Sequence, residues 1–385
     1  MSVTSPGRLE LPCTLMRGGT SKGIILRESD LPQDRARRDA VILRLFGSPD
    51  RRQIDGLGGA DPLTSKLAIV GPPTRAGADI DYSFAQIGIE RAYVDYSGYC
   101  GNILAAVAAY AVDEGYVQAG DEGTASVRVH TTNANRIVEA EVPVREGRFR
   151  WAGDEAISGV PGTAATILLN FADTVGSVSG RLLPSGNPLD VVEIENIGPL
   201  EISVVDAGNP MVFARLSDFA VGPTEGPDEI DARGDLIERL EHLRRVVAQR
   251  FALTMVDGAV SENIPLVALV APPSEYTAYS SGAVIDPQSI DFIGREFFAG
   301  KLHKAYGIAE TVCTAAAAAT PGTLPNLLSS RTGERSQRIV FGHPSGAITV
   351  DVEREGEAQE PSFKRIAVTR TARRLMDGIA YIDGV

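Results

Sequence analysis

The segment YSGYCGNILAAVAAYAV, residues 96–112, decides the fold predicted from this sequence. Its second part, residues 103–112, contains no charged side chain and no helix-breaking residue. A helix over these residues is apolar on every side, so it must be buried on every side. We therefore predict a central helix that the rest of its domain encloses.

A thiol stands at the start of this predicted helix. Cys100, Gly101 and Asn102 place a sulfur and two backbone N–H groups at a helix N-terminus, where partial positive charge gathers. Such a position binds anions and favours a reactive thiolate. A plain buried cysteine on a core helix is the alternative, since free cysteine is often buried and inert. These residues alone leave both interpretations open.

Length and composition predict a two-domain protein of the cytoplasm. The chain has 385 residues, 43% of them hydrophobic, which suffices for a large core. It shows neither a leader peptide nor an apolar run of the ~18–20 residues that span a membrane. Three cysteines without CxxC or Cys/His spacing argue against a disulfide framework and a metal site.

The formal net charge of −13 narrows the class of partner. Nucleic acids and anionic membranes are not attracted to such a chain over long range, so we expect neither as a partner. A small anionic substrate remains compatible, because screening over ~8–10 Å lets a cationic cleft act independently of a distant surface.

Two glycine-rich segments in the first half are candidates for a binding site. MRGGTSKG, residues 16–23, separates two predicted strands and can present N–H groups and hydroxyls, although a simple hairpin turn is the commoner explanation. The second segment is DGLGGADPLTSKLAIVG, residues 55–71. In it, Lys66 lies at the edge of an apolar strand, residues 67–70. A lysine against apolar surroundings favours its neutral form, as a general base requires. An exposed lysine at a strand start is the alternative.

The second half of the chain repeats features of the first. Strands are predicted at 202–205 and 211–214, and the RLSD at 215–218 matches the RESD at 27–30. An amphipathic helix follows in both halves, the later one at about 228–251. The repeat predicts two similar domains, which we place at 1–185 and 186–385, with the last strand able to cross back to the first domain.

Six motifs in register extend over nearly the whole chain. They are MRGGTSKG (16–23), GGADPLTSK (58–66), CGN (100–102), DAGNPMVF (206–213), LHKAYGIAETVCTAAAA (302–318) and GHPSG (342–346). Together they resemble the PrpF-type isomerases of the diaminopimelate-epimerase-like fold, which include 2-methylaconitate, methylitaconate and aconitate isomerases and 4-oxalomesaconate tautomerase. The resemblance implies an α+β fold of two similar domains, each of mostly antiparallel sheet wrapped around a central helix, with the active site in the cleft.

The resemblance also implies an activity. Enzymes of this family shift a proton between carbons of an unsaturated di- or tricarboxylate without a cofactor. The shift moves the double bond or changes its cis–trans geometry. By motif match, Lys66 and Cys100 are the catalytic acid/base pair. The substrate-binding residues implied in the same way are Thr20, Ser21, Gly101, Asn102, Asn209 and His303.

One departure from related epimerases concerns the second half. Those that share the fold carry a second catalytic cysteine before their second central helix, where this sequence has Ile308-Ala309. Cys313 lies several residues later, and we interpret it as a packing residue. Glu310 stands where these isomerases tend to carry glycine, and it could cap the helix or repel a substrate carboxylate.

Two alternatives accompany the isomerase hypothesis. An amino-acid epimerase of the same fold would need two opposed thiols. An accessory protein for an Fe–S dehydratase would bind an acid without converting it. The sequence leaves the oligomeric state open, a homo-oligomer included.

Overall fold

The structure is a computed structural model. It describes residues 3–5, 8–194, 197–253, 261, 264–298, 300–331, 336–356 and 361–383. In this part of the chain, no helix has the length and apolar character needed to cross a membrane.

The described residues form six α-helices and 22 strands, numbered here in chain order. The helices are α1 (Arg35–Phe46), α2 (Gly101–Asp113), α3 (Pro227–Asp231), α4 (Gly234–Arg250), α5 (Ile308–Ala319) and α6 (Leu324–Leu328). The strands are β1 (Val3–Ser5), β2 (Arg8–Gly18), β3 (Ser21–Arg27), β4 (Lys66–Gly71), β5 (Ile80–Ile87), β6 (Val94–Asp95), β7 (Glu122–Thr131), β8 (Arg136–Arg145), β9 (Arg148–Phe149), β10 (Ile167–Asn170), β11 (Asp190–Ile194), β12 (Gly198–Ala207), β13 (Asn209–Arg215), β14 (Leu266–Ala271), β15 (Tyr276–Thr277), β16 (Val284–Ile285), β17 (Phe292–Phe298), β18 (Lys301–Leu302), β19 (Ser336–His343), β20 (Gly346–Glu355), β21 (Ser362–Arg370) and β22 (Ala372–Asp383).

The first compact unit is a mixed, mainly antiparallel sheet with one buried helix. It comprises residues 1–156, 162–169 and 370–385. Its main strands follow the order β22, β2, β3, β4, β5, β7, β8, in which only β3/β4 and β5/β7 are parallel. Every residue of α2 from Gly101 to Val112 is buried, as an apolar helix requires.

The second compact unit repeats this plan. It comprises residues 157–161 and 170–369. Its main strands follow the order β11, β12, β13, β14, β17, β19, β20, β21, and only β13/β14 and β17/β19 are parallel. The helix α5 is buried along its whole length.

The same succession of pairings occurs in both units. A hairpin is followed by a parallel neighbour, an antiparallel return, a second parallel neighbour and a second hairpin. In each unit the buried helix lies in the chain between the fourth and the fifth strand of this series. The predicted α+β fold of two similar domains around central helices is confirmed.

The compact units differ from the predicted domain limits. Residues 170–185 belong to the second unit, and β22 belongs to the first. The division into 1–185 and 186–385 stays a prediction, which allowed for the return of the last strand.

Two local predictions were wrong in detail. The glycine-rich turn predicted over 16–23 is mostly strand, because β2 and β3 close on each other at Gly18 and Ser21 and leave a two-residue turn. The helix predicted over about 228–251 is two helices. Arg233 lies between them outside the helical backbone region, with φ −93° and ψ 78°.

Candidate active site

The candidate site in the first unit begins at the N-terminus of α2. Cys100 is the N-cap residue, its backbone is extended, and its side chain makes no capping hydrogen bond. Gly101 and Asn102 lie in the first turn of the helix, whose N–H groups have no intrahelical acceptors. The thiol is half-buried and not part of a disulfide. It therefore lies where the helix dipole favours negative charge.

A buried tyrosine fixes the backbone at Cys100. The Tyr82 hydroxyl donates to the carbonyl oxygen of Cys100 at 3.1 Å. Burial raises the pKa of Tyr82 well above its usual value, so the hydroxyl stays protonated and remains a donor. This hydrogen bond from Tyr82, on β5, therefore holds the backbone of Cys100 in place.

The β2–β3 hairpin delivers two hydroxyl groups to this helix start. Ser21 Oγ lies 3.9 Å from Cys100 Sγ, and Asn102 Nδ2 donates to Thr20 Oγ1 at 3.2 Å. Gly18 and Gly19 permit the approach, because a Cβ on either residue would overlap an oxygen of Asn102. The structure thus brings together five of the predicted site residues.

Lys66 is buried at the start of β4. The residue is only 6% exposed, so the interpretation as an exposed lysine was wrong. Nζ donates to Gln86 Oε1 at 2.7 Å and lies 5.2 Å from the centroid of the Phe84 ring. The Gln86 amide nitrogen donates to the carbonyl oxygens of Pro62 and Ser65, which leaves the amide oxygen facing the lysine.

One face of β5 carries the contacts of both candidate catalytic residues. Tyr82, Phe84 and Gln86 alternate along the strand, so their side chains point to the same face. Tyr82 holds Cys100, whereas Phe84 and Gln86 contact Lys66. Neighbouring members of this row are about 7 Å apart along a strand. The amine of Lys66 and the backbone of Cys100 therefore both contact this face of β5.

Arg370, the last residue of β21, was not among the site residues predicted from the sequence. It is buried, and its Nε donates to Asn102 Oδ1 at 3.2 Å. Next to it, Thr371 accepts from the N–H of Gly19 at 2.8 Å, which ties this segment to the hairpin. Burial lowers the pKa of Arg370 to about 9, against the opposing effects of Glu155 and Cys100. The guanidinium is therefore still protonated at neutral pH and supplies positive charge beside the α2 N-terminus.

The second unit has an analogous helix start with different chemistry. Gly307 is the N-cap of α5 and occupies the position that Cys100 has in α2. Asn209 Nδ2 donates to Glu310 Oε1 at 2.6 Å, and a Cβ on Gly307 would overlap the other oxygen of that carboxylate. His303 Nδ1 accepts from the N–H of Ala305 at 3.1 Å. A carboxylate thus fills the space beside α5 that the N-cap side chain fills beside α2.

The turn of the second unit packs on its helix as the first one does. Gly208 has φ +71°, and a Cβ there would overlap the carbonyl oxygen of Ala309. Gly282 has nearly the same φ, +70°, but a Cβ on it would meet nothing within 4 Å. Substituting these two glycines therefore distinguishes the cost of backbone strain from the cost of steric overlap.

Gly208→Ala should lower the free energy of unfolding by about 2–4 kcal/mol, because left-handed strain and steric overlap add together. Gly282→Ala, the matched control, should cost only about 1 kcal/mol, from the strain alone. Urea unfolding of the three proteins measures both. Equal losses in the two variants would show that the turn does not press on the helix.

Comparisons with known proteins place the chain in a family. The family model described as PrpF protein matches residues 8–383. The chain belongs to the PrpF family. It is 43% identical to 3-methylitaconate isomerase of Eubacterium barkeri, over 98% of each chain. It is 39% identical to 4-oxalomesaconate tautomerase of Pseudomonas putida, over 98% of this chain and 97% of that one.

Solved structures agree with this assignment. The crystal structure of methylitaconate-delta-isomerase covers 98% of this PrpF-family chain and 96% of its own, with a TM-score of 0.78 and 42% identity. A hydroxyproline epimerase from Agrobacterium vitis aligns with a TM-score of 0.59, over 97% of this chain and 93% of its own, at 11% identity, and so shows the fold alone. The predictions of the family and of an isomerase are confirmed.

Cys313 distinguishes this PrpF-family chain from a two-thiol epimerase. The residue is fully buried inside α5, and its Sγ donates to the carbonyl oxygen of Val205 at 3.2 Å. Burial raises the pKa of Cys313 well above its usual value, so the sulfur stays a neutral thiol. These contacts are those of a packing residue. Among the described residues, no group of three or more His, Cys, Asp or Glu side chains forms a metal-binding cluster.

Proposed function

We propose that this PrpF-family isomerase catalyses a 1,3-proton shift on an unsaturated di- or tricarboxylate, with Lys66 and Cys100 as the acid/base pair. The observation that carries the proposal is the shared face of β5, which contacts the amine of Lys66 and the backbone carbonyl of Cys100. Relatives named for 3-methylitaconate, 4-oxalomesaconate and 2-methyl-aconitate support this class of substrate.

The environment of each group assigns its role in one direction of the reaction. Lys66 faces an amide oxygen and an aromatic ring, which are the partners that an ammonium group prefers. Cys100 lies at a helix N-terminus and near the guanidinium of Arg370, and both place positive charge beside the sulfur. We therefore propose Cys100 as the base and Lys66 as the acid in this direction, the opposite of the general-base role expected for Lys66 from the sequence, and the reverse reaction exchanges these roles.

The reaction then proceeds by proton removal, electron shift and proton return. Cys100 takes an allylic proton from the carbon next to a carboxylate, and the C–H electron pair moves toward the existing double bond. Negative charge spreads over the allylic carbons and the carboxylate. Lys66 delivers a proton to the distal carbon, so that the double bond moves by one position and no oxidant or cofactor is consumed.

Positive groups at the α2 N-terminus stabilise this charge. The N–H groups of Gly101 and Asn102 are aimed outward from the first turn, and Arg370 lies beside them. Donors that are fixed before the reaction stabilise developing charge without reorganisation. Thr20 and Ser21 are proposed substrate contacts from the hairpin, and Asn209 and His303 are proposed contacts from the second unit.

The proposal is tested by isotope exchange. The protein is incubated in D₂O with 3-methylitaconate, 4-oxalomesaconate or 2-methylaconitate, and C–H exchange and double-bond migration are followed by NMR. We expect exchange at the allylic carbon of at least one acid. Binding of an acid without any exchange would contradict the proposal and favour an accessory role.

Arg370 supplies a separate prediction, because it acts through its neighbours. Arg370→Met should lower kcat/KM by about tenfold to a hundredfold, since a hydrogen bond to a charged group contributes about 1.5–3 kcal/mol. Alkylation of Cys100 by iodoacetamide should then require a higher pH, while Arg370→Lys keeps the charge and restores much of the profile. An unchanged alkylation profile in Arg370→Met would show that the residue only packs.

A further inference from the structure

The central helices α2 and α5 begin at equivalent positions of the two units. A Cβ on Gly18 would overlap the carbonyl oxygen of Asn102, and a Cβ on Gly208 would overlap that of Ala309. Asn102 and Ala309 are each the second residue of their helix, so each hairpin packs on the same helical position. The groups around the two helix starts can therefore be compared directly.

A hydrogen bond joins hairpin and helix in both units, but its direction is reversed. In the first unit the helix donates, from Asn102 Nδ2 to Thr20 Oγ1 at 3.2 Å. In the second unit the hairpin donates, from Asn209 Nδ2 to Glu310 Oε1 at 2.6 Å. The first turn of α5 thus presents a carboxylate where that of α2 presents a neutral amide.

Helix capping does not account for Glu310. In a capping box, the acidic side chain at the third helical position accepts from the backbone N–H of the N-cap residue. Gly307 is the N-cap of α5, and its N–H donates to Glu296 Oε2 at 2.7 Å. A Cβ on Gly307 would overlap Glu310 Oε2 and would lie 3.3 Å from Glu296 Oε1. Two carboxylates therefore lie beside this helix start, and the one that caps it is Glu296.

Glu310 opposes the usual electrostatic preference of a helix N-terminus. Such an end carries the equivalent of about half a positive charge and ordinarily binds anions. Glu310 places a full negative charge in the first turn of α5, and the residue is only 7% exposed, so solvent screens it little. The first turn of α2 contains no acidic residue and has the guanidinium of Arg370 beside it. A substrate carboxylate is therefore favoured at α2 and disfavoured at α5.

We propose that Glu310 is a specificity-determining residue, which excludes a carboxylate from the part of the substrate that contacts Asn209. The inference rests on the proposed function, in which Asn209 binds the substrate. It narrows the substrate class to unsaturated dicarboxylates whose remaining substituent is uncharged. A third carboxylate would meet one of the same sign in a buried place, which is strongly unfavourable. An alkyl group, such as the methyl group of 3-methylitaconate, meets no such repulsion.

Substrate preference tests the role of Glu310. The quantity to measure is the ratio of kcat/KM for 3-methylitaconate, a dicarboxylate, to kcat/KM for 2-methylaconitate, a tricarboxylate. Measured on one preparation, this ratio does not depend on the fraction of folded protein. We expect the wild type to favour the dicarboxylate by at least about tenfold, and Glu310→Gln to lower the ratio by at least about tenfold, because glutamine removes the repulsive charge and can still accept from Asn209.

Glu238→Gln is the matched control, because it removes one carboxylate from an exposed position on α4 and changes the net charge equally. Its ratio should equal that of the wild type. A wild type that favours the tricarboxylate, or an unchanged ratio in Glu310→Gln, would overturn the inference.

Binding of unreactive acids separates this inference from the proposed isomerase activity. Methylsuccinate and tricarballylate are saturated acids that differ by one carboxylate, so neither undergoes the proton shift. By isothermal titration calorimetry, the wild type should bind methylsuccinate at least about tenfold more tightly than tricarballylate, and Glu310→Gln should remove most of this difference. Equal binding of both acids by the wild type would refute the role of Glu310 even if isomerisation is observed. The expected preference without C–H exchange in any acid would support that role and refute the isomerase mechanism.

Discussion

Cys100→Ser should lower turnover by a factor of about 10²–10⁴, the usual cost of removing one general acid or base. A serine hydroxyl is a far weaker acid than a thiol, so it cannot hold and release a proton near neutral pH. The substitution changes the volume little, and the hydrogen bond from Tyr82 goes to the backbone of Cys100, which is retained. Folding should therefore be nearly unaffected, as thermal unfolding would show.

Cys313→Ser is the matched control for this variant. It exchanges sulfur for oxygen at a buried position, where the hydroxyl can still donate to Val205. Turnover should stay within about threefold of the wild type, since the residue makes packing contacts only. Loss of exchange at one face of the substrate in Cys313→Ser would instead support the two-thiol epimerase hypothesis. Near-normal turnover in Cys100→Ser would remove the thiol from the mechanism.

Lys66→Ala should reduce turnover by a similar factor, about 10²–10⁴. It should also cost some stability, because Gln86 Oε1 loses its partner in a buried position, at about 1–3 kcal/mol. Thermal unfolding and NMR-monitored turnover separate the two effects. Lys364→Ala, at a lysine paired with Glu353 on the surface, should change neither quantity appreciably.

Lys66→Arg refines the assignment of this residue as an acid. Arginine keeps the positive charge but does not release its proton near neutral pH. Substrate affinity should therefore be largely retained while proton return to the distal carbon fails. An arginine variant with near wild-type turnover would show that Lys66 acts through charge alone.

The fold was predictable where local composition has one solution. The uncharged apolar segment of α2 can only be a buried helix, and the structure buries it completely. The repeat was visible because each unit restarts with a strand, a turn and a second strand. Lys66 and Cys100 were identified as the acid/base pair by motif match, because the residues alone left a structural role open for each.

Other features depend on pairings that no local pattern reveals. Arg370 contacts Asn102 across 268 residues, and it arrives there because the chain returns to the first unit after β21. Gln86 is recognisable as a partner of Lys66 only once the register that places the two residues opposite each other is known. In the sequence it is simply a polar residue in an apolar strand. The break at Arg233 within a continuous amphipathic pattern is likewise invisible to periodicity, because both halves keep their apolar face.

The central claim is that Lys66 and Cys100 pass a proton along one substrate as a single unit. The most direct test is the rate of allylic C–H exchange in D₂O for Lys66→Ala, for Cys100→Ser and for the double variant. Residues that act as a unit are strongly non-additive, so the double variant should be no more than about threefold slower than the slower single variant. If the two losses instead multiply, the amine and the thiol act independently and the proposed mechanism is wrong.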